Sequence, residues 1–295
     1  STVAAAGHHN IMYLGPPGTG KTMAARRISS LLPDLEEKET REVARIYSMR
    51  GIDGSHPGRR PPVRMPHHSA TPEGMLGGGK GNLPGEVSLA HRGLLILDEA
   101  TEFRPQVLQA LREPVEVGRI TISRAGRSED FPSSFQLILT SNLCPCGKLG
   151  QEKEICMCSG QEIARYWRRL GAALLDRVDI RARSYYNRTG KPSMGHGEMR
   201  TRVATAIERQ QSRGGPGFRN GLIGPEVIER YLPLSPGLTA LLQTRMRQLK
   251  LSDRAASSVR SVAWTLADMD GRSAVEAGDI LEAAGMRAVG PERLA

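Results

Sequence analysis

Aromatic side chains are scarce, at 4% of 295 residues. Stacking platforms for unpaired bases need several such rings in one groove, so single-strand recognition by that route has little to build on. No apolar run approaches the ~18–20 residues a membrane span requires. No charged-then-apolar secretory leader is visible, and a cytoplasmic protein without membrane partners is expected. Internal repeats and long low-complexity tracts are missing as well. Cysteine is sparse: there are four, all between positions 144 and 158. Cysteines spread along a chain suggest disulfides, whereas four crowded together suggest a metal, and without a secretion signal a reducing compartment is expected.

Hydrophobic residues make up 39% and charged residues 24%, enough for a packed core. The length allows one large and one small domain. Lys and Arg total 41 against 31 Asp and Glu, a formal net charge of +10. Such a balance favours nucleic acid, nucleotide or acidic surfaces as partners, with ordinary solvation as the plain alternative.

Ile11-Met12-Tyr13-Leu14 reads as a short buried strand ended by Gly15-Pro16-Pro17-Gly18. A helix follows from Lys21, with Ala24, Ala25, Ile28, Leu31 and Leu32 on one face and Pro33 as its stop. Glu36 to Met49 is a second helix. Residues 51–85 are rich in Gly, Pro and His and read as one long loop. Leu94 to Leu97 is a second core strand, ending in acids. Pro105 opens a helix carrying Val107, Leu108 and Leu111. Arg119 to Ser123 and Phe131 to Phe135 form a projecting hairpin. Gln136 to Thr140 is a third core strand, Gln161 to Arg169 a helix, and Val178 to Ile180 a further strand. After Tyr186 only helices are suggested, with stripes at Leu238, Leu241, Leu242, Met246, Leu249 and at Ala255, Val259, Val262, Leu266, Met269. Strands alternating with helices predict a parallel sheet covered on both faces.

Gly15-Pro16-Pro17-Gly18-Thr19-Gly20-Lys21-Thr22 fits G-x-x-x-x-G-K-[ST], with Met23 next in the helix. The glycines let backbone amides approach phosphates, and the helix start directs its positive end at the same anion. Lys21 is expected at the β- and γ-phosphates of ATP and Thr22 at Mg²⁺. Asp98 follows a core strand and is expected to hold the same Mg²⁺; Glu99 is expected to polarise the attacking water. Asn142, ending the next core strand, can orient that water.

Cys144 and Cys146, and Cys156 and Cys158, form two C-x-C pairs. Four thiolates can complete a tetrahedral zinc site; free thiols and disulfides are the other readings. The adjacent histidines His67 and His68 lack the spacing of helical metal ligands, and a structural or interface role is expected for them. His8 and His9 are placed near the adenine.

The P-loop, the Asp-Glu strand, the Asn-ended strand and the helical tail together resemble the AAA+ ATPases. More narrowly, the chain resembles the magnesium-chelatase-like proteins of the YifB/ComM family. The likeness rests on Gly15 to Thr22, Arg64-Met65-Pro66-His67-His68-Ser69, Gly77-Gly78-Gly79, Pro84 to Ala90, Leu97-Asp98-Glu99, Ile120 to Ala125, Cys144-Pro145-Cys146-Gly147 and Leu174-Leu175-Asp176-Arg177. It departs at Gly7-His8-His9-Asn10, where the family often has Gly-Gly-His-Asn, and at Leu143, where it has Pro. Family members usually carry a further N-terminal domain resembling the Lon protease fold. Together with a start at Ser1-Thr2-Val3, this leads to the expectation that the sequence is part of a longer protein.

The resemblance implies a homo-oligomeric ring, a hexamer, with ATP between neighbours. Arg177 matches the arginine that approaches the next subunit's γ-phosphate, with a surface ion pair as the plain alternative. Arg254 resembles the second sensor, with Arg260 as its competitor. In related rings the glycine-rich stretch around Lys80 and the hairpin tip with Arg124 and Arg127 point into the pore, where basic side chains suit DNA backbone contact.

The expected architecture is an α/β P-loop NTPase (AAA+) three-layer core with a parallel sheet over residues 1–187, then a small all-α lid over 188–295. The expected activity is ATP hydrolysis driving a DNA motor, with branch migration implied by the resemblance. Two alternatives stand beside it: a subunit driving magnesium insertion into a porphyrin, and a nucleotide-gated assembly module with little turnover.

Overall fold

A computed structural model describes residues 1–52, 58–79, 81–124, 127–151, 154–185 and 194–290. Nine strands are described: β1 Ile11–Leu14, β2 Val63–Arg64, β3 Gly77–Gly78, β4 Leu83–Pro84, β5 Leu94–Leu97, β6 Arg119–Arg124, β7 Arg127–Pro132, β8 Gln136–Ser141 and β9 Ile180–Arg183. Five of them form one sheet in the order β2-β5-β8-β1-β9. Every pairing in it is parallel, with Ile11 opposite both Ile138 and Ile180, and Leu94 opposite Gln136. The first strand thus sits inside the sheet, where the chain order reverses, and loops at the carboxyl ends of β1, β5, β8 and β9 converge on one crevice.

The core strands read as unbroken apolar runs because both sheet faces are buried. Alternate side chains divide between two cores. Ile11, Tyr13, Leu94, Ile96 and Ile138 join one cluster. Met12, Leu14, Leu95, Leu97, Leu137 and Leu139 join the other, with Phe103, Val107, Leu108 and Trp167. This is the three-layer arrangement expected from the sequence.

Several predicted elements shift, and the returning hairpin strand runs Arg127–Pro132 rather than Phe131 to Phe135, because it pairs residue for residue with Arg119–Arg124. The helix from Lys21 ends as α-helix at Arg27 and tightens into a 3-10 turn over Ile28–Leu31. The strand read at Val178 begins instead at Ile180. The supposed loop 51–85 contains the edge strand β2, the helix Pro72–Leu76 and the β3–β4 ribbon.

The tail is helical, with His196–Gly214, Pro236–Gln248, Asp253–Met269 and Ala277–Arg287 as its main members. Ser235 and Ser252 cap two of them by accepting from the Leu238 and Ala255 amides. His196–Gly214 and Asp253–Met269 pack on the first helix, Thr2–Gly7, and Pro236–Gln248 and Ala277–Arg287 pack on Asp253–Met269 and on each other. Val203, Val259, Val262 and Ile280 share a single apolar cluster with the sheet residues Ile11 and Ile138. A buried polar chain runs alongside: His9 Nε2 meets Thr265 Oγ1 at 2.7 Å, and Asn220 Nδ2 donates to Thr265 Oγ1 at 3.0 Å and to Asp268 Oδ2 at 2.9 Å. Arg213 donates to both oxygens of Asp268, at 3.1 and 2.7 Å. The residues around the expected boundary at 187/188 lie outside the described ones.

Candidate nucleotide site

The crevice is built from four strand ends. β1 runs into the P-loop, where Gly18 and Gly20 take φ of 76° and 79°, a left-handed backbone that a side chain would strain. At Gly15 a Cβ would come to 2.3 Å from the Ser184 carbonyl oxygen, so only glycine lets the loop pass under the end of β9. Ser184 fastens that crossing: its N–H donates to Leu14 O and its hydroxyl to Thr19 O at 2.7 Å.

Lys21 opens the following helix and is 8% exposed. Its ammonium donates to Gly15 O and Pro16 O, both at 2.8 Å, and to Asn142 Oδ1 at 3.1 Å. Burial pulls its pKa down, while the Asp98 and Glu99 charges push it back up. Thr22 donates to Asp98 at 2.9 and 3.1 Å. Asp98 also accepts from Thr140 at 2.6 Å, and Thr140 in turn accepts the Glu99 amide at 2.9 Å. Thr140 therefore fixes both acids from the neighbouring strand. Glu99 has a left-handed backbone, φ 51° and ψ 52°, and its side chain is exposed. That conformation is unfavourable for a non-glycine residue, and here it turns the chain sharply just after β5. Two hydrogen-bonded pairs, Lys21 with Asn142 and Thr22 with Asp98, thus stand side by side at the start of one helix, with Glu99 open to water beside them. Thr22 and Asp98 offer adjacent hard oxygen donors, which fit Mg²⁺. Met23 is 75% exposed on the outer side of the helix start.

Other expected residues lie elsewhere. Arg177 and Arg254 border a cavity of about 670 Å³ that is also lined by Asn10, Phe135 and Asp179. Those three precede β1, β8 and β9, so the cavity lies at the amino end of the sheet. Lys21 lies beyond the carboxyl end, and a four-residue strand is roughly 13 Å long. Neither arginine is brought to its own P-loop. Both are gathered instead on one carboxylate, Glu116, which accepts from Arg177 and, at 2.5 Å, from Arg254. The Arg254 and Arg177 hydrogen bonds hold the Glu116 carboxyl below its usual range. Arg177 is anchored further by the Ala173 carbonyl at 2.7 Å. Arg260 pairs with Glu229 at 3.7 Å.

His9 is 0% exposed beneath the helix Asp253–Met269. Such a side chain has no face for a base, which corrects the adenine placement for His9; burial holds its pKa down at about 4. His67 and His68 stack at 4.0 Å on an exposed loop, with His67 Nδ1 near Ser69 Oγ at 2.8 Å.

The four cysteines follow β8 directly and are free thiols. Cys144, Cys146 and Cys156 lie 3.4 to 3.6 Å apart in pairs, and all four sulfurs fall within 4.8 Å of one another. Zn–S bonds of about 2.3 Å give a tetrahedron edge of about 3.8 Å, so the donor set fits zinc. Burial pushes the Cys144 thiol up to about 12, whereas the Lys148 amide lowers Cys146 to about 7.

β6 and β7 pair only with each other among the described residues, with Arg124 opposite Arg127 at the tip. The side chains of these two arginines, and Lys80 altogether, lie outside the described residues. Ile122 of the hairpin reaches the β3–β4 ribbon, where a Cβ at Gly77 would come to 2.8 Å from its Cδ1. The two inserts are therefore neighbours.

Comparison with known proteins fits this geometry. The family model described as "Magnesium chelatase, subunit ChlI" matches residues 1–191, and that for its C-terminal part matches residues 194–287. The chain belongs to the magnesium chelatase subunit ChlI family. Within this family it is similar to an uncharacterized protein of Mycobacterium tuberculosis, 40% identical over 99% of this chain and 59% of that protein. It is also similar to the competence protein ComM of Haemophilus influenzae, 38% identical over 98% of this chain and 57% of ComM. YifB of Escherichia coli is 37% identical over 97% of this chain and 57% of its own length. The ChlI-family chain thus spans under two thirds of these relatives. Its fold is an AAA+ P-loop core followed by helices, and no described helix is long and apolar enough to cross a membrane.

Sequence reading missed Thr140, Ser184 and Glu116. Thr140 carried a faint signal, a hydroxyl inside an otherwise apolar strand next to the acidic one. Glu116 carried none, because its partners Arg177 and Arg254 are 61 and 138 residues away.

Proposed function

We propose that this chain hydrolyses ATP as one subunit of a ring that works on DNA. The observation that carries the reading is the pairing of Lys21 with Asn142 and of neighbouring Thr22 with Asp98, with Glu99 open beside them. Lys21 binds the β- and γ-phosphates alongside the amides of Gly15 to Thr22, with Met23 flanking the site. Thr22 and Asp98 hold Mg²⁺, which when bound neutralises phosphate charge. Glu99 accepts a proton from the attacking water and Asn142 orients that water. The water oxygen bonds to the γ-phosphorus as the bond to the β-phosphate oxygen breaks, and ADP leaves.

The position of Arg177 and Arg254 supports assembly. Each lies at the far end of the sheet from its own cradle and is held by a partly exposed carboxylate; the exposed Arg254–Glu116 pair is worth only about 0–1 kcal/mol and is easily exchanged. Both arginines serve a neighbour's terminal phosphate, as a hexamer would allow. The adjoining inserts carrying Lys80, Arg124 and Arg127, together with the whole chain's net charge of +10, support a phosphate-backbone partner. Four thiolates at Cys144, Cys146, Cys156 and Cys158 hold a structural Zn²⁺.

The family description favours one rival reading, a subunit that powers magnesium insertion into a porphyrin. ATPase rates with and without single-stranded, duplex and branched DNA separate the two. Stimulation by DNA is expected, and rates indifferent to all three DNAs would remove the motor reading. A rate no higher than that of Glu99→Gln would leave a nucleotide-gated assembly module.

A further inference from the structure

The cysteine loop is joined to the nucleotide cradle in two ways. Along the chain, one residue separates Asn142, which accepts from the Lys21 ammonium at 3.1 Å, from Cys144. Across space, the turn between the two cysteine pairs lies on the prolines of the P-loop. Gly147 has φ 74°, and a Cβ there would stand 3.1 Å from Pro17 Cγ and 4.0 Å from Asn142 Nδ2. At Gly150, φ 83°, a Cβ would stand 3.1 Å from Leu143 Cδ1 and 3.7 Å from Pro16 Cγ. Both glycines let the turn lie flat on the cradle where a side chain would hold it off.

Little in the loop itself could keep it there. Its described residues from 143 to 158 form no helix or strand, and Ile155 and Met157 are 79% and 86% exposed. Its buried apolar anchor is Leu143, whose carbonyl accepts Trp167 Nε1 at 3.2 Å. Beyond a few turn contacts, such as Gln151 Nε2 to Gly147 O at 3.0 Å and the half-exposed Lys148–Glu154 pair, the two cysteine pairs are drawn together by the sulfur cluster: the Leu149 amide donates to Cys144 Sγ at 3.3 Å, and the four sulfurs converge. In a segment with so small a core, metal binding and local folding are one event.

From these contacts we infer that the four-cysteine loop is a metal-dependent brace of the ATP cradle, so that zinc and nucleotide bind with positive coupling. The inference rests on the zinc reading above and adds the link to the phosphates. The occupied knot presses Gly147 and Gly150 against Pro17 and Pro16 and fixes Asn142, which sets the Lys21 ammonium. An emptied knot frees the turn, and the cradle loses its outer wall.

Coupling of binding free energies is reciprocal, so it can be read from either ligand. Zinc content of chelator-free protein is measured first. Zinc affinity is then measured by competition with a chromophoric chelator, with and without saturating Mg²⁺ and a slowly hydrolysed ATP analogue. Affinity should rise with the analogue by roughly 5- to 150-fold, the span of ordinary site-to-site coupling. Calorimetry on zinc-loaded and stripped protein should show the analogue binding more weakly by the same factor after stripping. Lys21→Ala, which keeps the cysteines, should bind zinc with no response to the analogue. Protein without zinc sinks both the zinc reading and the brace. Zinc present with an affinity indifferent to the analogue overturns the brace alone.

Discussion

At the scale of single residues, the cradle depends on charge held in a confined place. Lys21 spends all three ammonium protons on Gly15, Pro16 and Asn142. It is thereby held at the point where the glycine turn presents its amides. Exchanging a charged hydrogen bond for nothing costs about 1.5–3 kcal/mol. Lys21→Ala should therefore weaken binding of an ATP analogue roughly 10- to 100-fold by calorimetry. Glu99 behaves differently. Exposed and held only through its backbone, it does little for the ground state, so Glu99→Gln should keep nucleotide affinity while turnover falls about 10²–10⁴-fold, the range for a lost general base. A turnover loss matched by an equal loss of affinity would take the base role from Glu99.

At the scale of elements, two segments make separate predictions. The β6–β7 hairpin is fixed at its root by buried Ile120 and Phe131, while its tip carries Arg124 and Arg127. Replacing both arginines by Ala should leave basal ATPase unchanged and reduce the salt dependence of DNA stimulation, by about 0.9 per lost phosphate contact in the log–log slope. The start of β1 is a pH-sensitive joint. Burial keeps His9 neutral in the fold, with its pKa down near 4 against an opposing pull from Asp179. Unfolded, it titrates near 6.5. The unfolded chain therefore binds the proton first. This contribution is complete above about pH 6.5 and is lost as pH falls toward 4, by roughly 3 kcal/mol in total. Denaturant unfolding at pH 7.5 and 5.0 should show a shallower loss for His9→Gln than for the parent; equal losses would mean His9 is not the group concerned.

The same scale shows what the sequence discloses and what it withholds. Leu94–Leu97 and Gln136–Ser141 are legible because strands buried on both faces need unbroken apolar runs, and the acids and the amide after them mark the crevice. Val63–Arg64 is not legible: a two-residue edge strand after two prolines has no periodicity, and only its register against Leu94 defines it. The P-loop and the cysteine pairs are local spacings and can be read directly. The convergence of Arg177 and Arg254 on Glu116 arises from tertiary packing and leaves no local pattern.

At the scale of the whole molecule, the helical tail is continuous with one face of the sheet. Asp268 is wholly buried and neutralised by Arg213, and His9, Thr265 and Asn220 connect that pair to β1. The helix Asp253–Met269, which carries Arg254, is thereby tied to the start of β1. Arg177→Ala should accordingly leave analogue affinity of the dilute, unassembled chain unchanged and reduce hydrolysis about 10³-fold or more once copies associate. Weaker binding by the dilute variant would mean that Arg177 reaches its own nucleotide.

The separation of Glu116 with its arginines from Lys21, at opposite ends of one short sheet, gives each copy a direction. In the assembly proposed above, head-to-tail contacts would have no self-complementary pairing; they would continue as a filament unless the rotation per copy brings the last against the first. On that proposal, the terminal cradle of any open row would lack its arginines. Closure therefore gains one working site beyond those already formed, and activity per copy should rise with row length until the circle completes.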